Sequence, residues 1–130
     1  MKSVKSPGGS MFPYYYKGGE IHCLKYGSFH SDSDALVKLM DEEETFIKTS
    51  DKKLRVWVDL YETKLTKNVL LKFCENIQSL NNNIIKLSIV GCSHFNRWKL
   101  KRLSKKTGCQ FKMPVSFFDD PEDAKTWLVC

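Results

Sequence analysis

Phe117-Phe118-Asp119-Asp120-Pro121-Glu122-Asp123-Ala124-Lys125-Thr126-Trp127-Leu128 decides the fold of this chain. A short apolar run halts at two aspartates. A proline and further acids follow, and Ala124, Trp127 and Leu128 then recur at helical spacing. The stretch predicts a strand that ends and a helix that begins within a few residues. Asp120 is the expected N-cap, its carboxylate accepting from backbone N–H groups that the first helical turn leaves unpaired. Pro121 at the first helical position loses nothing by lacking an N–H. Glu122 and Asp123 sit favourably at the positive end of the helix dipole.

Working back from this segment, the same strand-then-helix pattern recurs. Val115-Ser116-Phe117-Phe118 is the fourth strand, and before it a helix from about His94 to Thr107 is closed by Gly108. Ile84-Ile85-Lys86-Leu87-Ser88-Ile89-Val90 is the third strand and stops at Gly91. A helix from about Thr66 to Leu80 has Val69, Leu70, Phe73, Cys74, Ile77 and Leu80 on one arc of its wheel, the cleanest amphipathic pattern in the chain. Leu54-Arg55-Val56-Trp57-Val58-Asp59-Leu60 is the second strand, favoured by the branched Cβ atoms of its valines. Ahead of it, Ser31-Asp32-Ser33-Asp34 caps a helix that places Ala35, Leu36, Leu39, Met40, Phe46 and Ile47 on one face and most of Asp41 to Glu44 on the other. Glu20 to Tyr26 is the first strand, ended by Gly27. The expected fold is α/β: a four-stranded, largely parallel sheet built from alternating strand–helix units with right-handed crossovers.

At 130 residues the chain suits one domain with a sizeable core, expected over residues 20–130. Residues 1–19 are expected to be a flexible tail, basic at its start and without the apolar stretch of a secretion signal. No apolar run is long enough to span a bilayer. The five cysteines, Cys23, Cys74, Cys92, Cys109 and Cys130, are odd in number and show no C-x-x-C spacing. Reduced thiols and a cytoplasmic location are expected. The net charge of +6 favours anionic partners without choosing among nucleic acid, acidic protein and membrane surface.

In an open parallel sheet, ligands bind beyond the carboxyl ends of the strands. If the strands are neighbours, Asp59, Tyr61, Ser93 and His94 share one rim; the plainer reading makes Asp59 and Ser93 loop and cap residues. Cys92, Ser93 and His94 offer a nucleophile beside a base, the basis for a small hydrolase or redox alternative. Gly91-Cys92-Ser93-His94 lacks the Gly-x-Ser-x-Gly elbow, however. A metal site from Cys92, His94 and Asp59 would need a convergence that spacing does not show, and no metal is expected. Gly18-Gly19 precedes a strand and fits no phosphate loop, so no cofactor is expected; flavin binding without a glycine motif stays open. The densest positive charge is Arg97, Lys99, Lys101, Arg102, Lys105 and Lys106. Arg97, Lys101 and Lys105 share a helix face, with Phe95 and Trp98 among them to stack bases, so nucleic-acid binding through helix 94–107 is a further alternative. The plainer reading is a solvated face whose long stems cover apolar surface. The apolar residues of this helix scatter around its wheel, and an apolar ligand groove between it and the preceding helix would explain that.

The second half resembles the STAS superfamily and, more narrowly, the SpoIIAA-like family. The resemblance rests on Leu87-Ser88-Ile89-Val90-Gly91, Trp98 in the following helix, Phe117-Phe118 with acids after it, and the closing Ala124, Trp127 and Leu128. It covers about residues 54 to 129, and more loosely from residue 20. It implies a strand–helix superhelix and a non-enzymatic module: an anti-sigma-factor antagonist switched by phosphorylation, or a binder of lipids or other apolar ligands. The antagonists' Asp-Ser-Ser-Gly-like phosphosite corresponds to Tyr61-Glu62-Thr63-Lys64-Leu65-Thr66, where that pattern is absent. Thr63 or Thr66 could substitute, but the phosphosite is not carried over. The expectation is a regulatory binding module, a homodimer being allowed. It recognises a protein partner or small apolar ligand at the rim after the second and third strands, lined by Asp59, Tyr61, Thr63, Ser93 and Trp98.

Overall fold

In the computed structural model, which describes residues 3–130, the strand–helix alternation is as the sequence predicts. The elements are β1 (Val4–Lys5), β2 (Met11–Phe12), β3 (Tyr14–Tyr16), β4 (Gly19–Lys25), α1 (Ser33–Ser50), β5 (Leu54–Asp59), α2 (Lys67–Ser79), β6 (Ile84–Val90), α3 (His94–Thr107), β7 (Val115–Phe118) and α4 (Pro121–Val129). The capping residues fall where local chemistry puts them. Asp32, Thr66, Ser93 and Asp120 each accept a backbone N–H in the first turn of α1, α2, α3 and α4. Gly108 closes α3 in the left-handed conformation at φ +72°.

The sheet has five strands rather than four, in the order β3-β4-β5-β6-β7. β4 to β7 run parallel, each beside the next, and β3 is the antiparallel addition. Strand alternation sets the layers. Val56 and Val58 are buried in the core with residues of α1, α2 and α3. Trp57 faces the other way, with the Lys125 ammonium of α4 5.5 Å from its ring centre. The Lys86 ammonium of β6 likewise lies 4.7 Å from the Trp127 ring centre. Three helices thus cover one face and α4 crosses the other. Each Leu-, Ile- or Phe-sized side chain in the main core contributes about 1.5–3 kcal/mol by leaving water.

Residues 1–19, expected as a flexible tail, are instead folded onto the domain wherever they are described. Met1 and Lys2 lie outside the described residues. β1 and β2 form an antiparallel hairpin, and Tyr14–Tyr16 pairs with Gly19–Ile21. The anchor is polar, which is why hydrophobic pattern does not reveal it. Glu43, in the acidic run assigned to the outer face of α1, is 0% exposed. Its carboxylate accepts from the Ser6 hydroxyl at 2.7 Å and the Gly8 N–H at 2.9 Å, and lies 3.0 Å from His22 Nε2. A second buried network joins the residue after β4 to α1 and α2: the Tyr26 hydroxyl donates to Asn76 Oδ1 at 2.7 Å, and Asn76 Nδ2 donates to the Met40 carbonyl at 3.0 Å.

Candidate functional site

Asp59, Tyr61, Thr63 and Ser93 lie at or after the carboxyl ends of β5 and β6, and their polar groups are bonded within the protein, Tyr61 and Thr63 to other loops and Asp59 and Ser93 within their own. Asp59 Oδ1 accepts from the Tyr61 N–H at 2.9 Å. The Tyr61 hydroxyl donates to the Asp119 carbonyl. The Thr63 hydroxyl donates to the Tyr26 carbonyl at 2.7 Å and accepts from the Phe29 N–H at 3.2 Å. Ser93 Oγ accepts from the Asn96 N–H at 3.2 Å, the capping role of the plainer reading. The loops also touch closely: a Cβ on Gly27 would stand 2.7 Å from the Tyr61 carbonyl oxygen. The rim is a closed seam that fixes the loops.

Of the Cys92-Ser93-His94 set, Ser93 is held as the α3 cap and His94 is the first residue of that helix. Cys92 is buried, and burial pushes its thiol up to about 11 against the opposing pull of the Arg97 charge. At pH 7 its thiolate fraction is then about one in 10⁴. Burial likewise raises Cys109 to about 11 and, with help from the Asp59 charge, Cys23 to about 12. We expect iodoacetamide at neutral pH to label exposed Cys130 first and to leave Cys92 intact until the chain unfolds. Peptide mapping after timed alkylation checks this, and early labelling of Cys92 would revive the redox reading. The same shifts have a sign for stability. Above pH 9 the unfolded thiols ionise while the folded ones hold their protons to about 11, so the fold weakens as pH rises through that window.

Trp98, the remaining predicted rim residue, lies elsewhere. It lines an open cleft of about 990 Å³ between α3 and β7. The sequence expectation set a groove between α2 and α3. Those helices pack directly instead, burying Leu100 and Leu103, with Cys74 Sγ 3.5 Å from Ser104 Oγ. Burying those leucines turns the other aromatic residues of α3 outward: Trp98 is 54% and Phe95 64% exposed, their rings stacked 6.1 Å apart. Apolar lining comes from Trp98, Phe111, Val115 and Phe117, and basic lining from Arg97, Lys101, Arg102 and Lys105. No acidic side chain lines the cleft among the described residues.

The charges of the cleft differ in how they are held. Arg97 donates through Nε to the Cys92 carbonyl at 2.9 Å, pairs with Asp119 at 3.2 Å, and lies 5.1 Å from the Phe117 ring centre. The Arg102 guanidinium sits 5.3 Å from the Trp98 ring centre. Lys101, Arg102 and Lys105 have no ion pair among the described residues. The basic face predicted from Arg97, Lys101 and Lys105 therefore borders a cavity. What sequence reasoning missed was the neighbour, β7, whose place at the sheet edge leaves the flank of α3 uncovered. The one signal was the scatter of apolar residues around α3.

No family model, curated protein or solved structure matches this chain. Among the described residues, no helix is long and apolar enough to cross a membrane. No cluster of three or more His, Cys, Asp or Glu among them is placed to hold a metal ion.

Proposed function

We propose that this chain is a non-enzymatic binding module of the SpoIIAA-like, STAS type, which recognises a protein partner through the cleft between α3 and β7. One observation carries the reading: Trp98 stands exposed on the wall of a cleft that joins apolar surface to unpaired positive charge. Buried aromatic anchors beside arginine are the usual energetic centre of a protein interface. The open, basic character of the cleft favours a partner's segment over a small apolar ligand, which prefers an enclosed apolar cavity. The rim residues support the same choice, because their hydroxyl and carboxylate groups are already bonded within the loops. The STAS assignment rests on the resemblance in the second half, and a parallel sheet with helices between successive strands agrees with it. Five free cysteines suit a reducing, cytoplasmic setting. The phosphorylation switch of the antagonists is not part of the proposal: Thr63 bonds to Tyr26, and Thr66 Oγ1 caps α2 by accepting from the Val69 N–H at 3.2 Å.

The test places a photo-crosslinking benzoylphenylalanine at Trp98 or at Tyr61 and irradiates each protein in lysate of its source cell. A discrete protein adduct from position 98 that is absent from position 61 is expected. Adducts from position 61 alone would return the site to the rim. A persistent small-molecule adduct seen by native mass spectrometry, with no protein crosslink, would overturn the partner reading in favour of an apolar ligand.

A further inference from the structure

Resting on that reading of the cleft, we infer the chemistry of the partner: an extended acidic segment that adds to the outer edge of β7 as a sixth strand, its alternate carboxylates meeting Arg97, Lys101 and Lys105. Three independent features of the cleft converge on this occupant.

The first is the open edge. β7 is last in the sheet order and is hydrogen-bonded on one side only, to β6. The Pro114 carbonyl accepts from the Leu87 N–H at 2.9 Å, on the β6 side. Backbone groups alternate sides along a strand, so Val115 and Phe117 direct their N–H and C=O groups outward. Such an edge is a template for strand addition. It offers donors and acceptors in turn. A peptide backbone satisfies both, whereas a phosphodiester supplies acceptors only and would leave the outward carbonyls facing anionic oxygens. That asymmetry favours peptide over nucleic acid.

The second feature is the match of spacings. Residues four apart on a helix are separated by about 6 Å along its axis. Alternate residues of a strand are separated by about 6.6–6.8 Å and point to the same face. A strand on β7 whose even positions face α3 therefore brings successive side chains opposite Arg97, Lys101 and Lys105. Val115 and Phe117 belong to that same face, since both pack against the core beneath the helices. The third feature is charge: helix α3 carries no acid in its fourteen residues, and the cleft has none in its lining. Carboxylates would meet no like charge in the lining itself, Asp119 standing at its mouth, and complementary charge fixes register and speeds encounter. Arg97 would exchange its bond to Asp119, whose side chain is almost fully exposed, for one with the incoming strand.

The probe is a fluorescein-labelled peptide of alternating Glu and Val, compared by anisotropy at low salt with the same peptide carrying Gln for Glu and with a labelled oligothymidylate. The acidic peptide is expected to bind, and to lose about tenfold or more in affinity with Gln in place of Glu. A similar loss is expected in a Lys101→Glu, Lys105→Glu double variant. Hydrogen exchange at the Val115 and Phe117 amides is expected to slow on binding. Val115→Pro removes one outward N–H while sparing the β6 ladder, a change an edge strand tolerates; it is expected to abolish the peptide's binding while leaving the circular dichroism intact. Should that variant fail to fold, protection of the two amides decides the question. Full binding to folded Val115→Pro, or no protection at those amides, would overturn strand addition. Binding of oligothymidylate that the double variant abolishes, with no binding of the acidic peptide, would overturn the peptide but keep the cleft as the site. Peptide binding unchanged in the double variant would overturn both.

Discussion

Replacing Glu43 with leucine is expected to cost about 3–5 kcal/mol of folding stability, the range for removing one partner of a fully buried charged or polar network. The carboxylate ties the amino-terminal segment to α1 and β4 at once through polar bonds. Without it, the Ser6 hydroxyl and the Gly8 N–H lose their acceptor. His22, also 0% exposed, loses the one hydrogen-bond partner it has among the described residues. Each orphaned group adds a desolvation penalty of about 1–3 kcal/mol, against which a leucine returns only its own transfer term. Urea denaturation measures the loss. Hydrogen exchange should localise it, with amides of residues 4–12 accelerating more than those of β5. Phe12 adds to this, since its ring packs edge-on against His22 at 5.6 Å and Phe46 at 4.9 Å. A Glu43→Leu protein with the parent's urea midpoint would show that the segment is held by its apolar contacts and not by the carboxylate.

Glu43 also explains where sequence reasoning stopped. α2 and β5 are legible because burial follows their period: Val69, Leu70, Phe73, Cys74 and Ile77 are buried on one arc, and Leu54, Val56 and Val58 alternate with half-buried neighbours. Asp120 and Pro121 are legible because helix starts obey local chemistry, needing nothing from the rest of the fold. Glu43 sits in a run of four acids on a helix whose other acids are exposed or half-buried, and only the arrival of Ser6, Gly8 and His22 from distant positions gives it a reason to be inside. β3 was hidden for a related reason: an edge strand with two exposed tyrosines has no apolar face to betray it. The cleft was half legible. Arg97, Lys101, Lys105 and Trp98 all line it, but which strand stands beside them depends on the sheet order, which no local pattern carries. The rim residues are ambiguous in sequence, because side chains that cap helices and tie turns are the same types that line polar sites.

The other large effect is expected at Gly91, where β6 gives way to the loop before α3. Its φ of +80° lies where a side chain costs about 1–2 kcal/mol. The space is also closed: a Cβ there would stand 2.4 Å from the Tyr61 N and 2.8 Å from the Leu60 carbonyl carbon. Both are backbone atoms of the segment leaving β5, so neither can rotate away and the loop itself must shift. Gly91→Ala is expected to lose about 3–4 kcal/mol in total, as strain at a special backbone position does when packing is added to it. Gly108→Ala supplies the control. Its φ of +72° carries the same conformational penalty, but nothing lies within 4 Å of its Cβ, so only that penalty of about 1–2 kcal/mol should be lost. The difference between the two, read from paired urea curves, isolates the cost of pushing the Tyr61 loop. That loop matters beyond stability. Tyr61 donates to the carbonyl of Asp119, the residue that follows the edge strand β7 where the peptide would add. A displaced Tyr61 should therefore weaken acidic-peptide binding in Gly91→Ala while Gly108→Ala binds as the parent does. Equal stability losses in the two variants would mean that the loop yields freely, and that the seam along the rim does not brace the cleft.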